Sequence, residues 1–323
     1  MPTTKQRVLR ALLAQQAQWQ SGDALAQELG LSRESVWKAI NALRKAGHTI
    51  DARKSQGYQY LGCAQLDADV ISYYAAVAAP IVATASVEST QGQAKAWLSQ
   101  QTVVGTAAFF AGEQTAGYGR RGRAYYSPAE TGLYFSVVLP NTLHDLTKVG
   151  LVTTGVATAC LGVLQRWFPE VEFGLKWVND IMIGTKKVGG IITEAVLEVE
   201  SATSSAFVVG IGLNLTTTDF PKALAAIAGR ITASAVDRNR LAADLLAAIL
   251  TMTQTVASGD FLPAYRAAST ILGHRVTLGL GDRRVTGVAE EIAANGGLVL
   301  QTATGLLTYT SGEVIKVDLD PRD

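Results

Sequence analysis

The sequence predicts an α+β chain in three successive units: a basic helix-turn-helix with a hairpin, a central body built on a mixed sheet, and a small β-barrel at the end. Three observations carry this. The 323 residues exceed one ordinary domain of roughly 100–200 residues, and a content of 48% hydrophobic and 17% charged residues is that of a globular chain. The net charge of +1 conceals a split, with nine Lys/Arg against four Asp/Glu in residues 1–60 and 19 against 23 in the remainder. A basic head on an acidic body points to a module that faces nucleic acid. Beyond Gly273, helical periodicity gives way to short alternating runs separated by Gly-Asp and Asn-Gly-Gly turns.

In the first unit, Val8, Leu9, Leu12 and Leu13 recur at helical spacing and predict a helix over 5–17. Ser21 caps a second helix over 22–29, with Asp23 in its first turn and Gly30 at its end. Ser32 caps a third, closed by Gly47, in which Val36, Ile40 and Leu43 form an inward stripe. Arg33, Ser35, Lys38, Arg44 and Lys45 lie largely off that stripe. Residues 48–53 and 58–61 read as two strands joined by Lys-Ser-Gln-Gly, a hairpin with a basic tip. A winged helix-turn-helix follows, with the third helix in the major groove. Arg33, Ser35, Lys38 and Arg44 on that helix and Arg53 and Lys54 on the wing are its candidate DNA contacts.

Residues 63–69 form a junction, followed by a helix and a strand over 80–87. Ser89-Thr90-Gln91 then opens a helix through Lys95 and Trp97, which places hydroxyls and backbone N–H groups at a positive helix end. After an apolar strand over 103–111, Gly117, Gly119 and Gly122 match the GxGxxG spacing of dinucleotide-binding folds. That fingerprint must open a helix, whereas here the strand-like Gly-Leu-Tyr-Phe-Ser-Val-Val-Leu follows at 132–139, so a nicotinamide site is rejected. Arg120, Arg121 and Arg123 in a glycine loop suit a polyanionic ligand instead.

An apolar helix over 149–167 and a strand over 171–177 lead into Lys176-Trp-Val-Asn-Asp180 and a hairpin carrying Lys187-Val-Gly-Gly-Ile. A lysine beside a buried strand is costly unless it meets an anion, which singles out Lys176 and Lys187. A further strand over 207–215 holds Gly210-Ile-Gly-Leu-Asn214, and Asp237 caps a helix carrying Leu241, Leu245, Ile249 and Met252. Five short strands at 276–280, 285–289, 298–301, 306–309 and 314–317 make the terminal barrel.

Several function classes are excluded by what is scarce. Cys63 and Cys160 stand far apart with no CxxC, and His48, His144 and His274 form no pair at metal-ligand spacing, so no protein-built transition-metal site is expected. The apolar stretches at 73–87 and 151–164 fall short of the roughly 20 residues of a bilayer span. The first residues lack an apolar targeting core, and a cytoplasmic protein is expected.

The order of these motifs, from the winged helix-turn-helix through Ser89-Thr90-Gln91, Gly117-Tyr-Gly-Arg-Arg-Gly-Arg123, Lys176-Trp-Val-Asn-Asp180, Lys187-Val-Gly-Gly-Ile and Gly212-Leu-Asn214 to Gly312-Glu313-Val, resembles the bacterial bifunctional biotin–protein ligase and biotin operon repressor family over essentially the whole chain. The resemblance implies three domains: a winged helix-turn-helix at 1–62, a class II synthetase-like biotin/ATP domain at 63–270, and an SH3-like barrel at 271–323. It implies that biotin and ATP form biotinyl-5′-AMP, with Mg²⁺, and that biotin passes to a lysine of a biotin carboxyl carrier protein. A homodimer on operator DNA and no membrane partner are also implied.

Residue roles follow from the same resemblance. Ser89, Thr90, Gln91 and Gln114 would hold the ureido ring, with Gly119, Arg120, Arg121 and Lys187 completing the biotin site. Arg120, Arg123, Tyr125, Lys176, Asn179 and Asn214 would hold the adenylate. Lys187, Arg120, Lys176 and Asp180 would carry the chemistry, Lys187 neutralising charge that shifts during attack on the α-phosphorus, and Asp180 meeting Mg²⁺ or the acceptor lysine. The loops at 114–123 and 228–236 are expected to order on ligand binding. Tyr118 stands where the family usually has arginine, Val178 where it has proline, Gln91 where asparagine is common and Tyr125 where tryptophan is usual. Three other readings compete: a ligase whose DNA unit regulates nothing, a biotin sensor without ligase activity, and a lipoate-attaching enzyme of related fold.

Overall fold

The computed structural model describes residues 2–143, 148–198 and 203–318; His144 lies outside them. The chain starts with α1 (Thr4–Ala14), α2 (Gly22–Leu29) and α3 (Arg33–Lys45), followed by the antiparallel hairpin β1 (His48–Arg53) and β2 (Gly57–Cys63). The caps are local chemistry. Ser21 and Ser32 accept hydrogen bonds from the N–H groups of Ala24 and Ser35, and Gly30 ends α2 in the left-handed conformation. Helix α1 stops at Ala14, three residues short of the range predicted, and the turn behind it places Ala17 at φ 66°. Leu9, Leu12, Leu25, Val36, Ile40, Leu43, Ile50 and Tyr60 close a hydrophobic core of their own, in which each buried Leu or Ile contributes about 1.5–3 kcal/mol.

The body comprises α4 (Ala68–Ala75), β3 (Ile81–Val87), α5 (Thr90–Leu98), β4 (Ala107–Gln114), β5 (Gly132–Pro140), α6 (Val149–Trp167), β6 (Phe173–Lys176), β7 (Asp180–Ile183), β8 (Lys186–Glu198), β9 (Thr203–Asn214), α7 (Lys222–Ala225), α8 (Arg238–Thr253) and α9 (Leu262–Ala267). Its seven strands run in the order β3-β4-β5-β9-β8-β7-β6, with β3 and β4 parallel and the remaining pairs antiparallel. Strand β4 begins at Ala107 rather than 103, where pairing with Pro80 and β5 first becomes available, and Val103 before it is exposed.

Alternation along β8 and β9 divides the sheet's two faces. Ile191, Val209, Ile211 and Leu213 point into the main core with Val152, Val156 and Cys160 of α6 and Leu241 and Leu245 of α8. Ala206 and Val208, at the other parity, pack with Ala94 and Leu98 of α5. Helix α6 is long and apolar enough to cross a membrane, yet most of it is buried in this core.

The last unit is an antiparallel sheet of β10 (Arg275–Leu280), β11 (Arg283–Ile292), β12 (Leu298–Thr302), β13 (Gly305–Tyr309) and β14 (Glu313–Asp318), ordered β13-β12-β11-β10-β14. Its interior residues Val276, Leu278, Ala289, Ile292, Leu298 and Val314 merge with the main core. Trp177 Nε1 donates to the Gly296 carbonyl at 2.9 Å and seals the junction. The linker behind β2 is also pinned: Asn239 donates to the carbonyls of Cys63 and Gln65 and accepts from the Asp67 N–H, while Arg238 donates to the Ala64 carbonyl.

Candidate active site

A cavity of about 460 Å³ opens on the α5 side of the sheet, within the size range of small-molecule sites. Its floor is thin because Gly190 pairs with Gly212 across β8 and β9, and Gly210 lies two residues further on the same face. A Cβ on Gly212 would come within 2.4 Å of the Tyr125 ring, so only glycine lets that ring lie flat on the strand. Tyr125 is held there by its hydroxyl, which donates to the Gly212 carbonyl at 2.8 Å.

One end of the cavity is a set of neutral hydrogen-bonding groups. Gln114 Oε1 accepts from the Thr90 N–H at 2.8 Å and from its hydroxyl at 3.1 Å, and Gln114 Nε2 donates to Ser127 at 3.1 Å. Thr90 and Ser136 share a further bond of 2.8 Å. Gln91 Nε2 donates to Glu194 at 2.7 Å. Ser89 precedes them as the extended, buried N-cap residue of α5, with no side-chain cap bond.

The other end is charged. Lys187 forms an ion pair with Asp180 at 2.5 Å, drawn from β8 and the start of β7. Arg120 Nη1 donates to Asn179 Oδ1 at 3.3 Å, and Asn179 Nδ2 is anchored on the Ile191 carbonyl at 2.9 Å. Lys176, Asn214, Gly119, Arg121 and Arg123 also face the cavity, so every expected ligand-site residue except Ser89 lines it. Burial, with Arg121 beside it, lowers the Arg120 guanidinium below its ordinary value, although an arginine stays charged. The loop between β4 and β5 contains no α-helix, only a 3₁₀ turn at Arg120–Gly122 with Arg121 at φ 60°, which upholds rejection of the dinucleotide fingerprint.

Three features escaped the sequence reading. Glu313 of β14 binds Arg123 and stands 3.8 Å from Arg121, bringing the terminal sheet to the rim of the cavity. Hydrogen bonding from Arg123 holds its carboxyl below the ordinary glutamate value. Lys95 and Glu194 meet Tyr118 at the neutral end. Their signal was periodicity: Lys95 is one helical turn beyond Gln91, and Glu194 shares its strand face with Gly190. Among the described residues no cluster of three or more His, Cys, Asp or Glu could hold a metal unaided.

On the helix-turn-helix unit, Arg33, Lys38, Arg53 and Lys54 are exposed, and Ser35 is half-buried near the start of α3. Arg33 and Lys38 pair with Asp23 and Glu34 at 2.8 and 2.7 Å, and Arg53 lies 4.8 Å over the Trp19 ring. Arg44, also exposed, donates from its Nε and one Nη to the Ile50 carbonyl at 3.0 and 2.6 Å, tying α3 to the hairpin.

Comparison with known proteins agrees with this architecture. Three family models match in succession: the HTH domain at residues 4–59, the Biotin/lipoate A/B protein ligase family at 83–214, and the Biotin protein ligase C terminal domain at 271–317. The chain is 27% identical over 309 residues to the bifunctional ligase/repressor BirA of Bacillus spizizenii, covering 91% of this chain and 93% of that one. It is 30% identical over 213 residues to the biotin–[acetyl-CoA-carboxylase] ligase of Mycobacterium tuberculosis, covering 62% and 76%. Among solved structures, the biotin protein ligase from Aquifex aeolicus in complex with biotin and ATP superimposes with a TM-score of 0.61 at 28% identity, over 72% of this chain and 97% of that one. Through these matches and the order of its three units, the chain belongs to the family of bifunctional biotin–protein ligases and biotin operon repressors.

Proposed function

We propose that this protein activates biotin with ATP, transfers it to a lysine of a biotin carboxyl carrier protein, and uses its winged helix-turn-helix to repress transcription at operator DNA. The observation that carries the reading is one cavity with two chemically distinct ends, neutral amides and hydroxyls at Thr90, Gln91 and Gln114, and cations at Lys187, Arg120 and Lys176. The first suits a ureido ring and the second a carboxylate with phosphates.

The neutral end binds the ring and directs the biotin carboxylate toward Lys187. There the carboxylate attacks the α-phosphorus of ATP, a new P–O bond forms and pyrophosphate leaves. Lys187 exchanges Asp180 for the reacting oxygens, and Arg120, held by Asn179, neutralises the same charge. The carboxylate is itself the nucleophile, so the protein's work is positioning and electrostatics. Tyr125 and Asn214 border the nucleotide side, and Lys176 lies beside the phosphates. Asp180 would be the carboxylate to hold an Mg²⁺ together with phosphate oxygens, a donor type that magnesium ordinarily accepts, and that ion would supply neutralisation of phosphate charge. In the second step the carrier's lysine amine attacks the mixed anhydride and AMP leaves, with Asp180 the nearby acceptor for its proton. Closure of the 114–123 and 228–236 loops keeps water from the anhydride.

The division at 1–62, 63–270 and 271–323 is part of this proposal; the helix-turn-helix has a core distinct from the main one, to which Val70 of α4 also contributes. So is a homodimer, because two winged helices related by a two-fold axis fit an inverted repeat. Arg33, Ser35, Lys38, Arg44, Arg53 and Lys54 are its proposed DNA contacts. Among the described residues one helix, α6, is long and apolar enough to span a bilayer, and it is mostly buried in the core.

The decisive experiment incubates the protein with biotin, Mg·ATP and a biotin carrier domain and reads the carrier's mass. A gain of one biotin is expected; biotin binding without transfer would favour a sensor, and neither would remove the reading. An operator titration with and without adenylate then tests the repressor role.

A further inference from the structure

Trp37 of α3 is the largest hydrophobic side chain left exposed among the described residues, at 55%, and its ring has no hydrogen-bond, aromatic or cationic partner among them. Helix α3 buries Val36, Ala39, Ile40 and Leu43. Trp37 falls off that stripe, in a row with Arg33 one turn before it and Arg44 two turns after it. Both ends of the row are fixed. Arg33 Nε pairs at 2.8 Å with Asp23, in the first turn of α2, and Arg44 donates to the Ile50 carbonyl of β1. Trp37 therefore lies on the outer side of α3, between the start of α2 and the hairpin.

Those are the surfaces that a helix-turn-helix lays on a duplex. The recognition helix enters the major groove with its N-terminal half on base edges, and the helix before it crosses the backbone. A lone exposed apolar residue is ordinary elsewhere on a protein surface. Here it stands between two arginines, in a unit whose first 60 residues hold nine Lys/Arg against four Asp/Glu, so the surface around the indole complements a polyanion. The cations beside it suit phosphates and the polar edges of bases. None of them suits the apolar group that the major groove offers, the 5-methyl of thymine, whereas an indole face does.

We propose that Trp37 is a specificity-determining residue that packs its indole on a thymine 5-methyl group in the major groove, so that the DNA unit demands thymine at one position of each half-site. The inference rests on the repressor reading of the winged helix-turn-helix. Arg33 and Arg44, each tied to a neighbouring element, hold the register of α3, and the ring between them reads the base.

The test starts from duplexes that the full-length protein, with biotin and Mg·ATP present, selects from a random pool. Each thymine of the selected site is replaced in turn by deoxyuridine, which removes only the methyl group, and binding is read by fluorescence anisotropy for the wild type, Trp37→Ala and Trp37→Phe. One replacement per half-site is expected to weaken the wild type roughly fourfold, the worth of one buried methyl group. Trp37→Ala should weaken the thymine duplex by roughly the same factor and bind the uracil duplex as the wild type does, so the two losses do not add. Trp37→Phe, which keeps an aromatic face, should retain a smaller thymine preference and carries the test if the alanine variant fails to fold. The salt dependence of binding should be unchanged in both variants and reduced by about one counterion in Lys54→Ala, which separates base reading from phosphate contact. Additive losses, or thymine binding unchanged in Trp37→Ala, overturn this inference alone. So does a loss of self-association by Trp37→Ala without DNA, read by sedimentation, which would assign the ring to a second copy of the chain. A wild type that selects no duplex overturns the repressor reading with it.

Discussion

Lys187 and Asp180 neutralise one another across 2.5 Å, so a carboxylate or phosphate at Lys187 competes with an internal partner and not with water alone. Replacing the lysine removes the cation that meets the forming anhydride. Lys187→Ala is expected to slow pyrophosphate release roughly 10²–10³-fold, the usual scale for losing one electrostatic contact in a transition state. An unchanged release rate would contradict the assigned role. Arg120, whose guanidinium is held by Asn179, neutralises the same charge and would then help retain the adenylate. Arg120→Gly is expected to let activated biotin escape, raising labelling of unrelated lysines roughly tenfold while adenylate still forms. Mass spectrometry of a bystander protein reads this directly.

At the scale of elements, the site exists because two adjacent strands carry glycine at alternate positions. The even residues of β8 and β9 give a flat face at Gly190, Gly210 and Gly212, and the odd residues bury Ile191, Ile211 and Leu213 on the opposite face. A one-residue register slip would exchange the floor of the cavity with the core. Gly212→Ala places a methyl 2.4 Å from the Tyr125 ring and 2.8 Å from its hydroxyl. Overpacking of this kind costs about 1–3 kcal/mol, and here it falls on the nucleotide wall. The KM for ATP should rise well above any change in the KM for biotin; equal rises would place Tyr125 elsewhere in the reaction.

At the scale of the whole molecule, two of the ties between units lend themselves to test. Asn239, at the start of α8, makes three hydrogen bonds to the 63–67 linker. Asn239→Ala leaves buried linker groups unpaired, at about 1–3 kcal/mol each, so faster hydrogen exchange at the Asp67 amide is expected with ligase turnover retained. The second tie joins Arg123 and Arg121 to Glu313. Because Glu313 is held below its ordinary 4.5, the stability it contributes is present above that value and lost as pH falls through the lowered one. The gain is below about 1 kcal/mol, since both Arg123 and Glu313 are more than a third exposed. Melting curves of the wild type and Glu313→Gln should differ near neutral pH and converge in acid.

The sequence alone determined the caps at Ser21, Ser32 and Asp237, the extent of α6 and the glycine loop that opens no α-helix, because these depend on neighbours within a turn or on period-two alternation. The tertiary structure decided what lies across from what. Tyr118 meets Glu194 at a separation of 76 residues, and Arg123 meets Glu313 at 190, both through strand register and core packing that no local pattern encodes. The same packing turned Arg44 onto the Ile50 carbonyl. A side chain's type and periodicity are written in the chain, but its partner is fixed only when two distant segments are buried against one another.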